Sequence, residues 1–136
     1  AYDCCVIDCH PSMQLPTISA ITAADILLIP YKPDGYGNSG IEILEDYLEQ
    51  IRAEFNSALK HYVFVTQFAG TRSQMIALRN LMEKHNYPLL DTVITYREAV
   101  NSATQMRKPL LKHRKNSVVT KDYVQLADEV HRLMEE

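Results

Sequence analysis

Two short apolar runs, Ile26-Leu27-Leu28-Ile29 and Tyr62-Val63-Phe64-Val65-Thr66, are separated by residues whose apolar side chains recur at helical spacing. This alternation constrains the fold more than any other feature. Strands covered on both faces read as near-continuous apolar runs, and strands joined through a helix pair in parallel. Between the two runs, Ile41, Leu44, Leu48, Ile51 and Phe55 share one helix face, and Ser39-Gly40-Ile41-Glu42 reads as a capping box that opens it. An earlier run, Cys4 to Asp8, predicts a first strand. Ser73 to His85 predicts a helix packing through Met75, Leu78, Leu81 and Met82, with Pro88 beyond it. Asp91 to Ile94 predicts a further strand, and Glu98 to Arg107 another helix. Lys121 to Glu136 closes the chain as a helix with Tyr123, Leu126, Ala127, Val130, Leu133 and Met134 inward. The expectation is one α/β domain over residues 1–136, a mostly parallel sheet with helices on both faces.

Composition narrows the functional classes. No apolar run approaches the length of a membrane span, and no basic leader precedes an apolar segment, so neither a membrane helix nor a secretory signal is expected. The three cysteines, Cys4, Cys5 and Cys9, are an odd number within six residues, which suits a reducing cytoplasm better than a disulfide framework. The net charge of −3 conceals a division. Residues 1–58 carry nine acidic side chains against Lys32 and Arg52, a balance of −7. Residues 95–121 carry Arg97, Arg107, Lys108, Lys112, Arg114, Lys115 and Lys121 against Glu98, a balance of +6. That block either binds an anionic partner or is a solvated surface loop.

Asp8 ends its apolar run immediately before Cys9-His10-Pro11-Ser12, which places a carboxylate where a nucleotide-bound Mg²⁺ lies in such folds. The alternative is a strand-end aspartate that caps the following turn. Cys4 and Cys5 point to opposite sides of a strand, so they do not converge on one zinc, and burial as small apolar residues is expected for the cysteines. Cys9 and His10 lack a third group to orient a nucleophile.

Several segments together resemble the ParA/Soj branch of the deviant-Walker ATPases, relatives of MinD. Residues 2–12, YDCCVIDCHPS, are similar to the family's Walker B and switch segment, and residues 20–30, AITAADILLIP, follow its ALxAADxhLIP pattern. Tyr31-Lys32-Pro33-Asp34 with Gly40-Ile41 resembles its turn into a helix. Thr92-Val93-Ile94 with Arg97, Ala103 and Lys108-Pro109 resembles a later stretch. Tyr123, Leu126, Ala127 and Glu129 resemble its closing helix. The chain departs from the pattern at His10, at Ala69-Gly70-Thr71 and at Thr95. The family's P-loop is not matched: no GxxxxGK occurs, and the only glycines are Gly35, Gly37, Gly40 and Gly70. A partial P-loop NTPase fold, Walker B onward, is therefore implied.

The resemblance implies a Mg²⁺-dependent ATPase that dimerises with ATP, binds DNA without sequence preference, answers to a ParB-type adaptor and segregates plasmids or chromosomes as a cytoplasmic, nucleoid-associated protein. By position, Asp8 would act catalytically by orienting a water on Mg²⁺, and Cys9 to Ser12, including Pro11, would sense the γ-phosphate. Thr66, Gln67 and Thr95 would flank the adenine, and residues 33–37 would lie near the dimer face. Arg97, Arg107, Lys108, Lys112, Arg114 and Lys115 would contact DNA phosphates. Most triphosphate binding comes from the P-loop amides and lysine, so no cofactor and no turnover are expected of residues 1–136 alone. The expectation is a portion of a longer product, or a split or truncated one. A competing reading is a non-enzymatic module that binds DNA or a ParA-like partner. A phospho-acceptor receiver fits less well, because Asp3 opens a strand instead of closing one. The last helix is expected to pack in the core, not on a membrane: it ends in Glu135-Glu136 and carries few cations.

Overall fold

The computed structural model describes residues 2–34, 37–84 and 87–135, with the side chains of 37–39 left out. Six helices and three strands follow in the order α1 (Leu15–Ala23), β1 (Ile26–Tyr31), α2 (Gly37–Glu54), β2 (Lys60–Phe68), α3 (Arg72–Lys84), β3 (Leu89–Thr95), α4 (Glu98–Gln105), α5 (Leu110–His113) and α6 (Val118–Glu135). The strands form one parallel sheet in the order β1-β2-β3. β1 meets β2 in unbroken register from Ile26 opposite Lys60 to Tyr31 opposite Val65.

Period-two alternation in the strands splits the core into two layers. Ile29, Tyr31, Val63 and Val65 face α1, α2 and α3 through Ile21, Ile41, Leu48, Ile51 and Leu81. Leu28, Tyr62, Phe64, Leu90 and Ile94 face the other way, toward Ala99, Val100, Leu110, Val119, Leu126, Val130 and Leu133 of α4, α5 and α6. Helices thus cover both faces, as the alternation predicts.

The Cys4–Asp8 strand is not formed. Residues 4–8 belong to no strand or helix, Val6 is 89% exposed, and all three cysteines are exposed, not buried. Strand propensity produces a strand only where a partner supplies the ladder, and the outer edge of β1 has no partner strand among the described residues. Between this stretch and β1 lies α1, which the sequence reading did not predict. Pro16 sits in its first turn, where a missing N–H costs nothing. Its last carbonyls are satisfied by the Asn56 amide, which donates to Thr22 O and Ala24 O, both at 2.9 Å.

Other boundaries move by a few residues. α2 begins at Gly37, so Ser39-x-x-Glu42 lies inside the helix instead of capping it, and Phe55 falls beyond its end, exposed. In α3 the inward face is Leu78 and Leu81, while Met75 and Met82 face solvent. His85 and Glu136, included in predicted helices, lie outside the described residues. α6 turns Val119, Asp122, Leu126, Val130 and Leu133 inward, leaving Tyr123, Ala127 and Met134 exposed. Among the described residues no helix is long and apolar enough to cross a membrane.

Candidate functional site at the strand ends

All three strands point the same way, so Tyr31, Phe68 and Thr95 end on one rim, the side where ligands of open parallel sheets sit. From Val65 to Phe68, β2 takes three steps against two from Val93 to Thr95 of β3, so one extra residue is inserted at Thr66–Gln67. Gln67 absorbs it in the left-handed region, φ 52°. A bulge of this kind re-aims side chains at a strand end. Gln74 fixes the loop: its side chain donates to Gln67 O at 3.0 Å and accepts from the Ala69 N–H at 2.8 Å. The Thr71 hydroxyl accepts from the Gln74 N–H at 3.3 Å, capping α3. Gln74 was missed by the sequence reading, though Thr71-x-x-Gln74 is a legible capping pattern.

Thr95 is bound to α6. Its N–H and its hydroxyl donate to the same Asp122 oxygen, at 3.0 and 2.6 Å. One turn-pair further along α6, the Glu129 carboxylate accepts the Asp91 N–H at 2.8 Å and the Thr92 N–H at 3.0 Å. Burial pushes the Glu129 carboxyl up. The Thr92 side chain, the two backbone N–H groups and the charge of Arg132 outweigh it and hold the group below the usual carboxylate range.

Asp8 is exposed. Beyond it the turn closes locally: His10 Nδ1 meets the Ser12 hydroxyl at 2.9 Å and the Ser12 N–H at 3.3 Å. The Thr17 hydroxyl donates to His10 O at 3.2 Å, which ties this turn to α1. Pro11 is exposed within it. Thus Thr66, Gln67 and Thr95 share the rim of β2 and β3, while no described hydrogen bond or ion pair links Asp8 to them. Beside the end of β1 lies an open groove of about 370 Å³ lined by Ile29 to Lys32, Asp34, Gly40, Ile41 and Leu44, with Lys32 and Asp34 paired at 3.5 Å. Burial, then the charge of Asp34, raises the Tyr31 phenol. Of residues 33–37, Gly35 and Tyr36 lie outside the described residues.

Arg97, Arg107, Lys108, Lys112, Arg114 and Lys115 are all exposed, the last five on one continuous segment. Arg107 ends α4 in the left-handed region, φ 51°, with its N–H donating to Thr104 O and the Lys108 N–H to Ala103 O, both at 3.0 Å. That is the helix end where glycine is usual. A hydrogen bond of 3.0 Å between Ser102 Oγ and His113 Nε2 fastens α5 to α4. The Thr120 hydroxyl, donating to Arg114 O at 2.7 Å, fastens the far end to α6. Hydrogen bonds thus tether the segment at His113 and Arg114, while its basic side chains stay exposed.

A metal arriving with a nucleotide needs few protein ligands. The exposed Asp8 carboxylate suits a water on such an ion, whereas the described residues gather no group of three His, Cys, Asp or Glu that would hold an ion alone. Residues 1–136 hold no GxxxxGK loop.

A parallel sheet with helices on both faces is an α/β fold, consistent with part of a P-loop NTPase. A family model described as an AAA domain matches residues 1–61. An uncharacterized protein of Pseudomonas putida strain KT2440 is 31% identical over 136 residues, 96% of this chain and 51% of that protein. The chromosome partitioning protein ParA of Caulobacter vibrioides strain CB15N is 27% identical over 132 residues, 95% of this chain and 49% of that protein. The sporulation initiation inhibitor protein Soj of Bacillus subtilis strain 168 is 28% identical over 131 residues, 95% and 52% respectively. The chain is ParA/MinD-like, and it spans about half the length of the curated relatives it matches.

Proposed function

We propose that this chain carries the Walker B-to-C-terminus part of a partition-type Mg²⁺-ATPase, and that the surface of residues 97–115 is where it holds DNA. The observation that carries the reading is the tethered basic segment 107–115, on a chain that aligns over nearly all its length with a chromosome partitioning protein. Arginine at a left-handed helix end, where glycine is less strained, is consistent with a side chain kept for its charge. With no aromatic interleaving, the contacts are to phosphates and carry no sequence preference.

In the longer assembly Asp8 would orient a water of the nucleotide's Mg²⁺, and Thr66, Gln67 and Thr95 would border the base. Phosphoryl transfer then depends on positioning and charge neutralisation more than on covalent help. An ATP-dependent homodimer and a ParB-type adaptor belong to the same reading. It is tested by DNA affinity against salt: six neutralised phosphates give a slope of log K on log salt of about −5. A slope near zero removes the segment from any DNA surface. Residues 1–136 alone are expected to show no ATP turnover, since no glycine loop holds the triphosphate; turnover by the pure chain refutes that expectation.

A further inference from the structure

The division of charge along the sequence becomes a division across the sheet. α2 packs Ile41, Leu48 and Ile51 against one face. Its outward side carries Ile43, 59% exposed, and Tyr47, one turn apart, with Asp46, Glu49 and Glu54 exposed around them. On the opposite face, the segment held by α4, α5 and α6 exposes Met106 and Leu111 among Arg107, Lys108, Lys112, Arg114 and Lys115. Each surface is an apolar centre with a charged rim, and the two rims have opposite sign. Among the described residues, the ion pairs Lys32–Asp34, Glu45–His61 and His131–Glu135 do not involve Asp46, Glu49, Glu54 or the basic side chains of 107–115.

Opposite faces of one sheet cannot meet within a copy. A two-fold contact through either surface sets like charge on like, which is repulsive. We infer that the acidic outer face of α2 on one copy docks on the basic 106–115 surface of the next, a head-to-tail contact between copies of this chain. Because the two surfaces lie on opposite sides, the contact repeats and builds an open row instead of closing on a pair. It also occupies the side chains proposed above to hold DNA, so a neighbouring copy and DNA exclude each other. The self-contact is measured without DNA, so it stands or fails separately from the DNA reading.

The test is sedimentation of the 136-residue chain. At low ionic strength the mass grows with concentration past the dimer. In about 0.5 M salt, where screening reaches only a few ångströms, it returns to the 15.6 kDa monomer. Asp46→Lys with Glu49→Lys, or Lys112→Glu with Arg114→Glu, each weakens self-association by about tenfold or more. These positions are exposed, and far-UV circular dichroism of each variant checks its fold. Mixing the two variants restores association, because each reversed face meets the opposite charge on the other variant. A chain monomeric at low salt, a wild-type mass that stops at the dimer, or association undiminished in both variants overturns the inference.

Discussion

The sheet has two edges, and the chain treats them differently. Along β3, the backbone N–H groups of Asp91, Thr92 and Thr95 end on carboxylates of α6, Glu129 for the first two and Asp122 for the third. Seven residues apart, these acids lie on one side of the helix, the side that also buries Val119, Leu126, Val130 and Leu133. A helix thus replaces a neighbouring strand as acceptor, which removes the usual hazard of an exposed edge. Along β1 the described residues provide no such cover. The one other apolar run, Cys4 to Asp8, stays exposed. The difference shows what terminates a sheet: an edge is finished by acceptors that reach its backbone N–H groups, and apolar character alone does not supply them.

The largest expected effect comes from breaking the finished edge at Asp122. This side chain is 9% exposed and takes two bonds on one oxygen. Asp122→Ala leaves the Thr95 N–H and hydroxyl unpaired in a half-buried place, for a loss of about 3 kcal/mol in urea unfolding. Asp122→Asn keeps an acceptor and should lose less than half of that. Equal losses for the two variants would mean that volume, not hydrogen bonding, is what the site needs.

Glu129 comes next, because it is less buried and each of its oxygens holds one main-chain donor. Glu129→Gln should lose about 1.5 kcal/mol at neutral pH. The sign of the pH dependence follows from the direction of its shift. The folded carboxyl titrates below its ordinary value of 4.5, so its contribution is complete above that pH and is lost as pH falls through the folded value. Wild type and Glu129→Gln therefore converge in acid. A gap between them that stays constant down to strong acid would show that the charge is not what β3 requires.

These residues also mark how far the sequence was legible. Ile41, Leu48 and Ile51 share a face because 3.6-residue spacing is a local property, and Val63 and Val65 separate from Tyr62 and Phe64 because strand alternation is too. Asp122 was invisible to the same reasoning. Counting apolar positions on α6 selects Tyr123, Ala127 and Met134 as core, whereas a carboxylate with waiting N–H donors outcompetes them for the inward side. The bulge at Thr66–Gln67 depends on how β2 registers against β3, a pairing between residues about thirty apart, so the rim's polar ends could be placed only roughly. α1 escaped because Thr17, Ser19 and Thr22 interrupt any apolar stripe.

The smallest expected effect tests the other edge. Cys4-Cys5-Val6-Ile7 and Ile26-Leu27-Leu28-Ile29 have similar apolar character, but only the second is packed. Val6→Lys with Ile7→Lys should change stability by no more than about 0.5 kcal/mol, because both side chains are largely in water, Val6 89% and Ile7 54% exposed. The same pair should raise solubility, since a charge in an apolar run opposes strand-to-strand association. Concentration-dependent light scattering of wild type and double variant checks this. If the double variant instead unfolds by more than 1.5 kcal/mol, about the value of burying one aliphatic side chain, then residues 4–8 do lie against the body of the protein and the contrast between the two edges is lost.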